Sequence, residues 1–226
     1  MIAIGAVIYL NCPNRIVGAF LFSIGLITIM EFDFNLYTGK VGFIRKWRDI
    51  PRLLSIFLMN AVGCLFIMAL PTQDAGVIWG NRLNYPLYIV FAKAIVCGIL
   101  IYVCVRNHKV HSASTSILTT LIAIPTFILC GAEHSIADIC FMFAARDFTL
   151  KGAIFILVVA LGNAAGSLML SVWVQCRREK GDLLEKFTID ISNQKNKTIQ
   201  DAHRGELWQK QSKSEESALR RTLYKF

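Results

Sequence analysis

The stretch Gly131-Ala132-Glu133-His134-Ser135-Ile136-Ala137-Asp138 lies inside an apolar segment that runs from Ile117 to Phe143. A segment of this length can cross a bilayer, because a spanning helix needs about 20 apolar residues. A charged side chain at mid-bilayer depth costs about 2.5–3.5 kcal/mol on insertion scales, so such groups normally face a bundle interior or a water-filled path. Glu133, His134 and Asp138 are therefore the first candidates for a functional site.

Two residues predict that this segment is a broken helix. Pro125 removes a helix hydrogen bond, and Gly131 lets the backbone turn just before the ionisable residues. We therefore expect an interrupted transmembrane helix that directs Glu133 and His134 into a pore. Asp138 is expected to hold the interruption in place.

The composition points to a polytopic membrane protein. The chain has 226 residues, of which 55% are hydrophobic and 17% charged, and its mean hydropathy is +0.52. The net charge of +9 fits cytoplasmic loops and a tail near anionic lipid, and no zinc finger or stacking aromatic module suggests nucleic acid. The seven cysteines are scattered without a CxxC pair, so neither disulfides nor a cofactor are predicted.

The apolar segments predict an all-α membrane protein with six transmembrane helices. Residues 1–10 are too short to span a bilayer, so either the first span is truncated or the true start lies upstream. The second span is interrupted at residues 31–40, and a polar loop is expected over 71–84. The predicted segments are 1–10, 16–44, 53–70, 86–105, 117–143 and 152–176. They form a transmembrane channel domain, 1–176, followed by a polar tail, 177–226, that is disordered or loosely helical.

Basic residues predict the orientation. The loops after the second and fourth spans and the tail carry more lysine and arginine than the opposite side, so they are expected to be cytoplasmic. Both termini then face the cytoplasm, and the protein is a multi-pass protein of the cell (inner) membrane. Asp and Glu contribute little to this rule.

The chain also repeats itself weakly. Spans one to three and four to six each read as an unbroken, a broken and an unbroken helix, and the third member carries Asn-x-x-Gly as Asn60/Gly63 and Asn163/Gly166. With three spans per repeat, the second copy is inverted across the membrane. Inverted repeats with paired broken helices are typical of transporters, which bind their substrate between the breaks.

Together these motifs resemble the formate/nitrite transporter family over roughly residues 1–176. The string Glu-His-Ser-Ile-Ala in a broken fifth span is the most specific part of the resemblance. The other matching stretches are Phe22-Ser23-Ile24-Gly25-Leu26, Leu36-Tyr37-Thr38-Gly39, Asn60-x-x-Gly63, Gly98-Ile99-Leu100 and Gly162-Asn163-x-x-Gly166.

The resemblance implies an aquaporin-like protomer with its own pore, assembled in lipid as a homopentamer. It implies transport of small monovalent weak-acid anions such as formate, nitrite or hydrosulfide, as a channel or with proton coupling. His134 is then the central pore histidine and Thr38 its partner at the break in the second span. Leu26 and Tyr37 are implied as the hydrophobic constriction on one side, Phe127 and Val105 as the constriction on the other, and Asn163 as a pore-side amide.

The chain departs from the family pattern at two charged positions. The family usually has Asn where Asp138 stands, and its vestibule lysine precedes the position of Lys93 by about two helical turns. Lys93 either serves as a displaced anion-attracting charge or extends to an interface. Both residues are kept as candidate pore-side polar groups.

The mechanism expected from these residues lowers the cost of moving an anion through a dry constriction. Helix starts at the breaks offer backbone N–H groups to an anion. A histidine, with an unperturbed pKa of about 6.5, can polarise or protonate the anion. The hypothesis is that His134 does so while Glu133 sets its proton supply.

Other interpretations remain open at this stage. His134 can be a hydrogen-bonded histidine between helices, Thr38 a helix cap, and Asn163 a hydrogen-bonding link between helices. The whole chain can be a non-conducting scaffold subunit. An intramembrane enzyme using Glu133 and His134 is a further alternative, although neither GxSxG nor HExxH is present.

Overall fold

The described part of the chain is helical and contains no strand. The computed structural model describes the backbone of residues 1–73 and 75–223 and the side chains of residues 1–73, 75–189 and 191. The all-helical prediction is therefore confirmed for these residues. Their helices are α1 (Ile2–Asn11), α2 (Arg15–Glu31), α3 (Tyr37–Val41), α4 (Ile50–Ile67), α5 (Ala75–Leu83), α6 (Leu87–Val110), α7 (Ala113–Leu129), α8 (Ser135–Ala144) and α9 (Leu150–Leu223).

Three helical segments in the described residues are long and apolar enough to cross a membrane. They are Trp47–Ile67, Leu87–Val110 and Leu150–Ile189, and they fall on the predicted third, fourth and sixth spans. Ile2–Asn11, Ala113–Leu129 and Ser135–Ala144 are shorter apolar helices. The apolar character that the composition predicted is thus carried by the helices themselves.

The backbone divides into two compact units, Met1–Trp173 and Val174–Phe226. The first unit contains α1 to α8 and the beginning of α9. The second unit is helical as far as Leu223. The predicted boundary between residues 176 and 177 and the disordered or loosely helical tail stay predictions, and most side chains of that tail lie outside the described residues.

Helices α6 and α9 pack with their backbones in contact. A Cβ atom added to Gly98 would overlap the carbonyl oxygen of Asn163, and one added to Gly166 would overlap that of Ile95. The Ser167 hydroxyl donates to the Gly98 carbonyl at 2.9 Å. Small residues permit such close approach between apolar helices. The contact holds Asn163 at a fixed depth against α6.

The expected polar loop over residues 71–84 is wrong, because Ala75–Leu83 form helix α5. Ala75 and Trp79 are 5% and 2% exposed. They share one helical face with Arg82, at the spacing i, i+4 and i+7. Because the other two side chains on that face are buried, Arg82 also points toward the interior. The polar composition of the segment had suggested a loop.

Substituting Gly166 tests the close contact between α6 and α9. We expect Gly166→Ala to lower the free energy of unfolding by about 1–3 kcal/mol, because an added methyl group overpacks the contact. Gly63→Ala is the matched control, since Gly63 is the equivalent glycine of the other Asn-x-x-Gly motif and a Cβ atom added there would have nothing within 4 Å. Thermal unfolding in detergent measures both. If the two variants lose the same amount of unfolding free energy, the close contact between α6 and α9 is contradicted.

Candidate functional site

Two interruptions of the helices have the same backbone construction. Helix α2 ends at Glu31 and α3 begins at Tyr37, while α7 ends at Leu129 and α8 begins at Ser135. One residue in each interruption has a left-handed backbone, Asp33 with φ 48° and Gly131 with φ 70°. Aspartate and glycine are residues that adopt this conformation at low cost.

The helix ends before the interruptions are closed by matching hydrogen bonds. The amide of Phe34 donates to the Ile29 carbonyl at 2.9 Å, and the amide of Ala132 donates to the Phe127 carbonyl at 2.9 Å. The amides of the left-handed residues themselves donate to Met30 and Ile128, each at 3.2 Å. This pattern satisfies carbonyls that a helix end leaves without partners. Pro125 lies inside α7 and does not end that helix.

An asparagine side chain bridges each interruption, and we call this arrangement an amide bridge. The Asn60 side chain accepts from the Tyr37 amide at 3.0 Å and donates to the Asn35 carbonyl at 2.9 Å. The Asn163 side chain accepts from the Ser135 amide at 2.9 Å and donates to the Glu133 carbonyl at 2.8 Å. Each bridge therefore spans residues i and i+2 around the start of the next helix.

Asn163 makes one further bond, from its amide nitrogen to the Ala94 carbonyl at 2.9 Å. Its side chain is fully buried, and all three of these bonds go to backbone atoms. The predicted role as a pore-side amide stays a prediction. The geometry assigns its hydrogen-bonding capacity to holding α8 and the residues before it.

His134 and Thr38, the two residues predicted to be partners, are in contact. The His134 Nε2 and Thr38 Oγ1 atoms are 2.9 Å apart, and the two side chains are 2% and 1% exposed. The Ala137 amide donates to His134 Nδ1 at 3.1 Å, so this ring caps the start of α8. Thr38 stands in the first turn of α3, so the contact joins the two helices that follow the interruptions.

The bond from Ala137 fixes the tautomer of His134. A backbone amide can only donate, so Nδ1 carries no proton in this geometry and the neutral ring carries its proton on Nε2. Nε2 then donates to the Thr38 hydroxyl oxygen. The hydroxyl proton of Thr38 is consequently available to a second acceptor.

Aromatic rings surround the other face of His134. The Phe127 ring stacks on the imidazole with centroids 6.0 Å apart, and the Phe22 ring meets Phe127 edge-on at 6.4 Å. These three side chains line a cavity of about 10 Å³ together with Arg82 and Asp138. Such a volume holds about one water molecule.

Most residues predicted as constrictions lie around two cavities, and their roles as constrictions stay predictions. Leu26 and Val105 line the same cavity, of about 40 Å³, whereas Phe127 lines the smaller one. Tyr37 lines neither, because its hydroxyl donates to the Ala160 carbonyl at 3.1 Å and its ring packs against Phe57. The polar side chains of the larger cavity are those of Asp33, Lys40, His108 and Lys109.

Glu133 and Asp138 both bind Arg82, which lies in the segment predicted as a polar loop. Arg82 Nη1 contacts Glu133 Oε2, and it lies 2.5 Å from Asp138 Oδ1. The two carboxylates are 2% and 0% exposed. The guanidinium carbon also lies 4.6 Å from the centre of the Phe141 ring. The signal in the sequence that points Arg82 inward is its spacing from Ala75 and Trp79, which puts the three residues on one face of α5.

Lys93 lies close to the interruption without entering this ion pair. Its Nζ atom is 3.6 Å from the centre of the Tyr85 ring and 3.7 Å from the position of a Cβ on Gly131. Among the described residues, the carboxylates of Glu133 and Asp138 form salt bridges with Arg82 alone. The role of Lys93 at the pore side stays a prediction.

Trp79 holds α5 in place beside the site. Its indole N–H donates to Asp147 Oδ2 at 2.5 Å, and its ring packs edge-on against Phe155 at 5.2 Å. The Thr149 amide donates to the other oxygen of Asp147 at 3.0 Å. These donors lower the pKa of Asp147 below its ordinary value. The depth to which Arg82 reaches thus depends on this attachment.

Comparison with known proteins relates this arrangement to one family. The family described as Formate/nitrite transporter matches residues 1–176. No curated protein matches this chain significantly. A solved structure titled FNT family ion channel is similar with a TM-score of 0.66 and 21% identity, over 77% of this chain and 85% of that one. A structure titled Pentameric formate channel with formate bound has a TM-score of 0.64 and 19% identity, over 78% of this chain and 92% of that one.

Removing the Asn163 amide bridge tests its structural role. Asn163→Ala removes the side-chain partner of the Ser135 amide and the Glu133 carbonyl, and each such buried group costs about 1–3 kcal/mol, whereas the Ala94 carbonyl keeps its place within α6. We therefore expect a loss of about 2 kcal/mol or more in unfolding free energy and faster hydrogen exchange at residues 131–135. Asn60→Ala serves as the comparison, because its bridge has two bonds at a partly exposed site. A loss no larger than that of Asn60→Ala would contradict the assignment.

The attachment of α5 predicts a pH-dependent stability. Since the pKa of Asp147 is lowered from 3.8, its ionised form stabilises the fold fully at neutral pH, and this contribution is lost as the pH falls through the folded pKa. We expect Asp147→Asn to lower the melting temperature at pH 7 and to match the wild type below the folded pKa. Trp79→Phe keeps an aromatic ring but removes the N–H donor, so the pH-dependent part of the stability should also be lost; the smaller ring adds a loss that is the same at every pH. A difference that persists unchanged at acid pH would contradict this origin.

Proposed function

This chain belongs to the formate/nitrite transporter family, and we propose that it carries small monovalent anions of weak acids across a membrane. The anion class is formate, nitrite, hydrosulfide or a relative of similar size and charge. The single observation that supports this most is the buried contact of His134 with Thr38 between the starts of α3 and α8. It supplies hydrogen-bond donors at one buried point between the two interruptions. No enzymatic reaction is part of the proposal.

The proposed architecture has six spans, with the first only half length. In this proposal α2 with α3 and α7 with α8 are the two broken spans of inverted repeats in an aquaporin-like protomer. The matching helix ends and the two amide bridges support a repeat, because Ile29 to Tyr37 and Phe127 to Ser135 make the same bonds in the same order. A homopentamer is proposed by analogy with the formate channel titled as pentameric.

The proposed location is the cell (inner) membrane, with both termini in the cytoplasm. The basic residues at the ends of the predicted spans support this orientation. An exposed tryptophan next to them supports an interface at the start of α4, since the Trp47 side chain is 88% exposed between Lys46 and Arg48. Tryptophan is enriched at membrane interfaces.

His134 polarises the anion through Thr38 in this proposal. Its Nε2–H donates to the Thr38 oxygen, and the Thr38 hydroxyl then donates to an anion beside it. Transfer of a proton from the ring is disfavoured, because loss of Nε2–H from a neutral imidazole leaves an anion. An imidazolium would require a proton on Nδ1, where the Ala137 amide already points its own hydrogen.

Two apolar constrictions separate the polar contact from water on its two sides. We assign Phe127, together with Phe22, to one constriction and Leu26, together with Val105, to the other, since these pairs share contacts or a cavity. Lys40 and Lys109 are placed to attract anions at the second cavity. Arg82 is the corresponding cation at the first, and Glu133 acts by holding it there rather than by contacting His134.

A non-conducting scaffold is the second candidate. The observation that favours it is the ion pair of Arg82 with two carboxylates, because Arg82 and Asp138 line the small cavity beside His134. An anion can pass only if it competes with Glu133 and Asp138 for the guanidinium or if this group moves. Transport by the purified protein therefore decides between the two candidates.

Uptake of formate into vesicles tests the proposed function. We expect His134→Ala to reduce the initial uptake rate by about 100-fold, the usual order for loss of one buried donor to an anion. His134→Phe should fail in the same way, because it fills the space without a donor. Leu118→Ala is the control on the same span, where the side chain is 59% exposed.

The outcomes separate the candidates. If the wild type takes up formate and both His134 variants take it up more slowly, the transport mechanism is supported. Unchanged uptake in both variants removes His134 from it. A folded, assembled wild-type protein that passes no formate, nitrite or hydrosulfide supports the scaffold.

A further inference from the structure

Asp138 is the most buried acid in the described part of the chain, and one of its oxygens has no partner there. Its side chain is fully buried, Oδ1 binds Arg82, and Oδ2 is buried without a hydrogen bond. Desolvating a carboxylate oxygen without a donor is costly. The aspartate also lines the small cavity beside His134 and Arg82.

The charges around Asp138 do not favour two ionised carboxylates. One guanidinium nitrogen of Arg82 serves both Asp138 and Glu133, and two carboxylates that share a buried site do not readily ionise together. The other titratable groups around this pair are Tyr9 from α1, Lys93 and Cys97 from α6, and Cys140 from α8. Lys93 packs on Tyr85 and forms no salt bridge with either carboxylate among the described residues.

The unpartnered oxygen identifies which acid carries a proton. Glu133 Oε2 is engaged by Arg82, and the residue is tied to Asn163 through its carbonyl. Oδ2 of Asp138 is the oxygen whose ionised form lacks a donor. A hydroxyl at Oδ2 removes the uncompensated charge and becomes a donor. Glu133, which lies within hydrogen-bonding reach, accepts from it while the cavity is empty, and an anion entering the cavity is the alternative acceptor.

We propose that Asp138 carries an exchangeable proton on Oδ2 and passes it to the permeating weak-acid anion. This inference rests on the proposed transport function. The O–H bond of the Asp138 carboxyl breaks, its electron pair stays on the aspartate, and the proton forms an O–H, N–H or S–H bond on the anion. Arg82, which also pairs with Glu133, binds the carboxylate that remains, and the neutral acid crosses the apolar constriction. Because this site does not favour two ionised carboxylates, Asp138 takes up a proton again. A proton from the aqueous side restores the carboxyl.

This step complements the role of His134. The cap bond from Ala137 makes the imidazole a donor of a hydrogen bond and a poor donor of a proton. The two tasks therefore fall to different residues at α8: His134 orients the anion and Asp138 supplies the proton. Both residues line the same cavity.

Infrared spectroscopy tests the proton directly, without any need for transport. We expect the full-length protein in detergent near neutral pH to show the carbonyl stretch of a protonated carboxyl, with a shift in D2O. The band should vanish in Asp138→Asn, and it should weaken in Glu133→Gln, where Arg82 pairs with Asp138 alone. Its absence from the wild type, or its persistence at full strength in Asp138→Asn, would overturn the assignment.

Formate uptake into phosphatidylethanolamine/phosphatidylglycerol vesicles tests the transfer. We expect acidification outside to accelerate uptake by the wild type, and this acceleration to fall to a ratio of one in Asp138→Asn. Asp138→Glu should restore part of it, which shows that the acid and not the side-chain shape matters. An acceleration that Asp138→Asn retains overturns the transfer step.

The infrared and uptake experiments together keep this inference distinct from the proposed function. If the wild type carries no weak-acid anion, the transport proposal and the transfer step both fail, while the infrared result still decides the protonation. An intact oligomer in size-exclusion chromatography and an unchanged melting temperature confirm that Asp138→Asn is folded. If Asp138→Asn unfolds, both measurements are made on Asp138→Glu instead. If Asp138→Glu then shows the infrared band at its wild-type position and the acceleration at its wild-type strength, the assignment to Asp138 is overturned.

Discussion

The structure depends on how backbone polar groups are satisfied at two places where helices stop inside an apolar bundle. Irregular backbone at membrane depth persists only where protein or a cavity provides its hydrogen bonds. Asn60 and Asn163 provide them here, each by accepting from one amide and donating to a carbonyl two residues earlier. Without these bonds neither α3 nor α8 has a fixed start, and the contact of Thr38 with His134 has no defined geometry.

The two amide bridges impose the same backbone but hold different side chains. The residue between the bridged groups is Leu36 in one interruption and His134 in the other. The left-handed position is Asp33, which pairs with Lys40 at 2.9 Å, in one case and Gly131 in the other. The same local backbone thus holds an apolar residue at one interruption and an imidazole at the other. The two interruptions are similar in backbone and differ in the chemistry of their side chains.

The sequence predicted the features that depend on local pattern. Apolar length predicts the helices, Gly131 predicts the interruption, and the motif context predicts that His134 meets Thr38. The inward position of Arg82 was missed, because a polar segment of mixed composition hides a short helix whose buried face consists of two residues. The role of Asn163 was also incomplete, since a sequence places an amide on a helix without showing which backbone groups lie opposite. The constriction role of Tyr37 stays a prediction; its contacts with Ala160 and Phe57 join residues that are distant in the chain, so the sequence does not show them.

The similar backbone of the two interruptions has a consequence for redesign. Because the Asn60 and Asn163 side chains bind only backbone atoms, the side chain between the bridged groups takes no part in either amide bridge. The side chain at position 36 is therefore replaceable without loss of its bridge, whereas the ring at position 134 also caps α8 through Nδ1. A redesign of the first interruption thus changes its chemistry alone, and a redesign of the second also changes the support of the helix that follows.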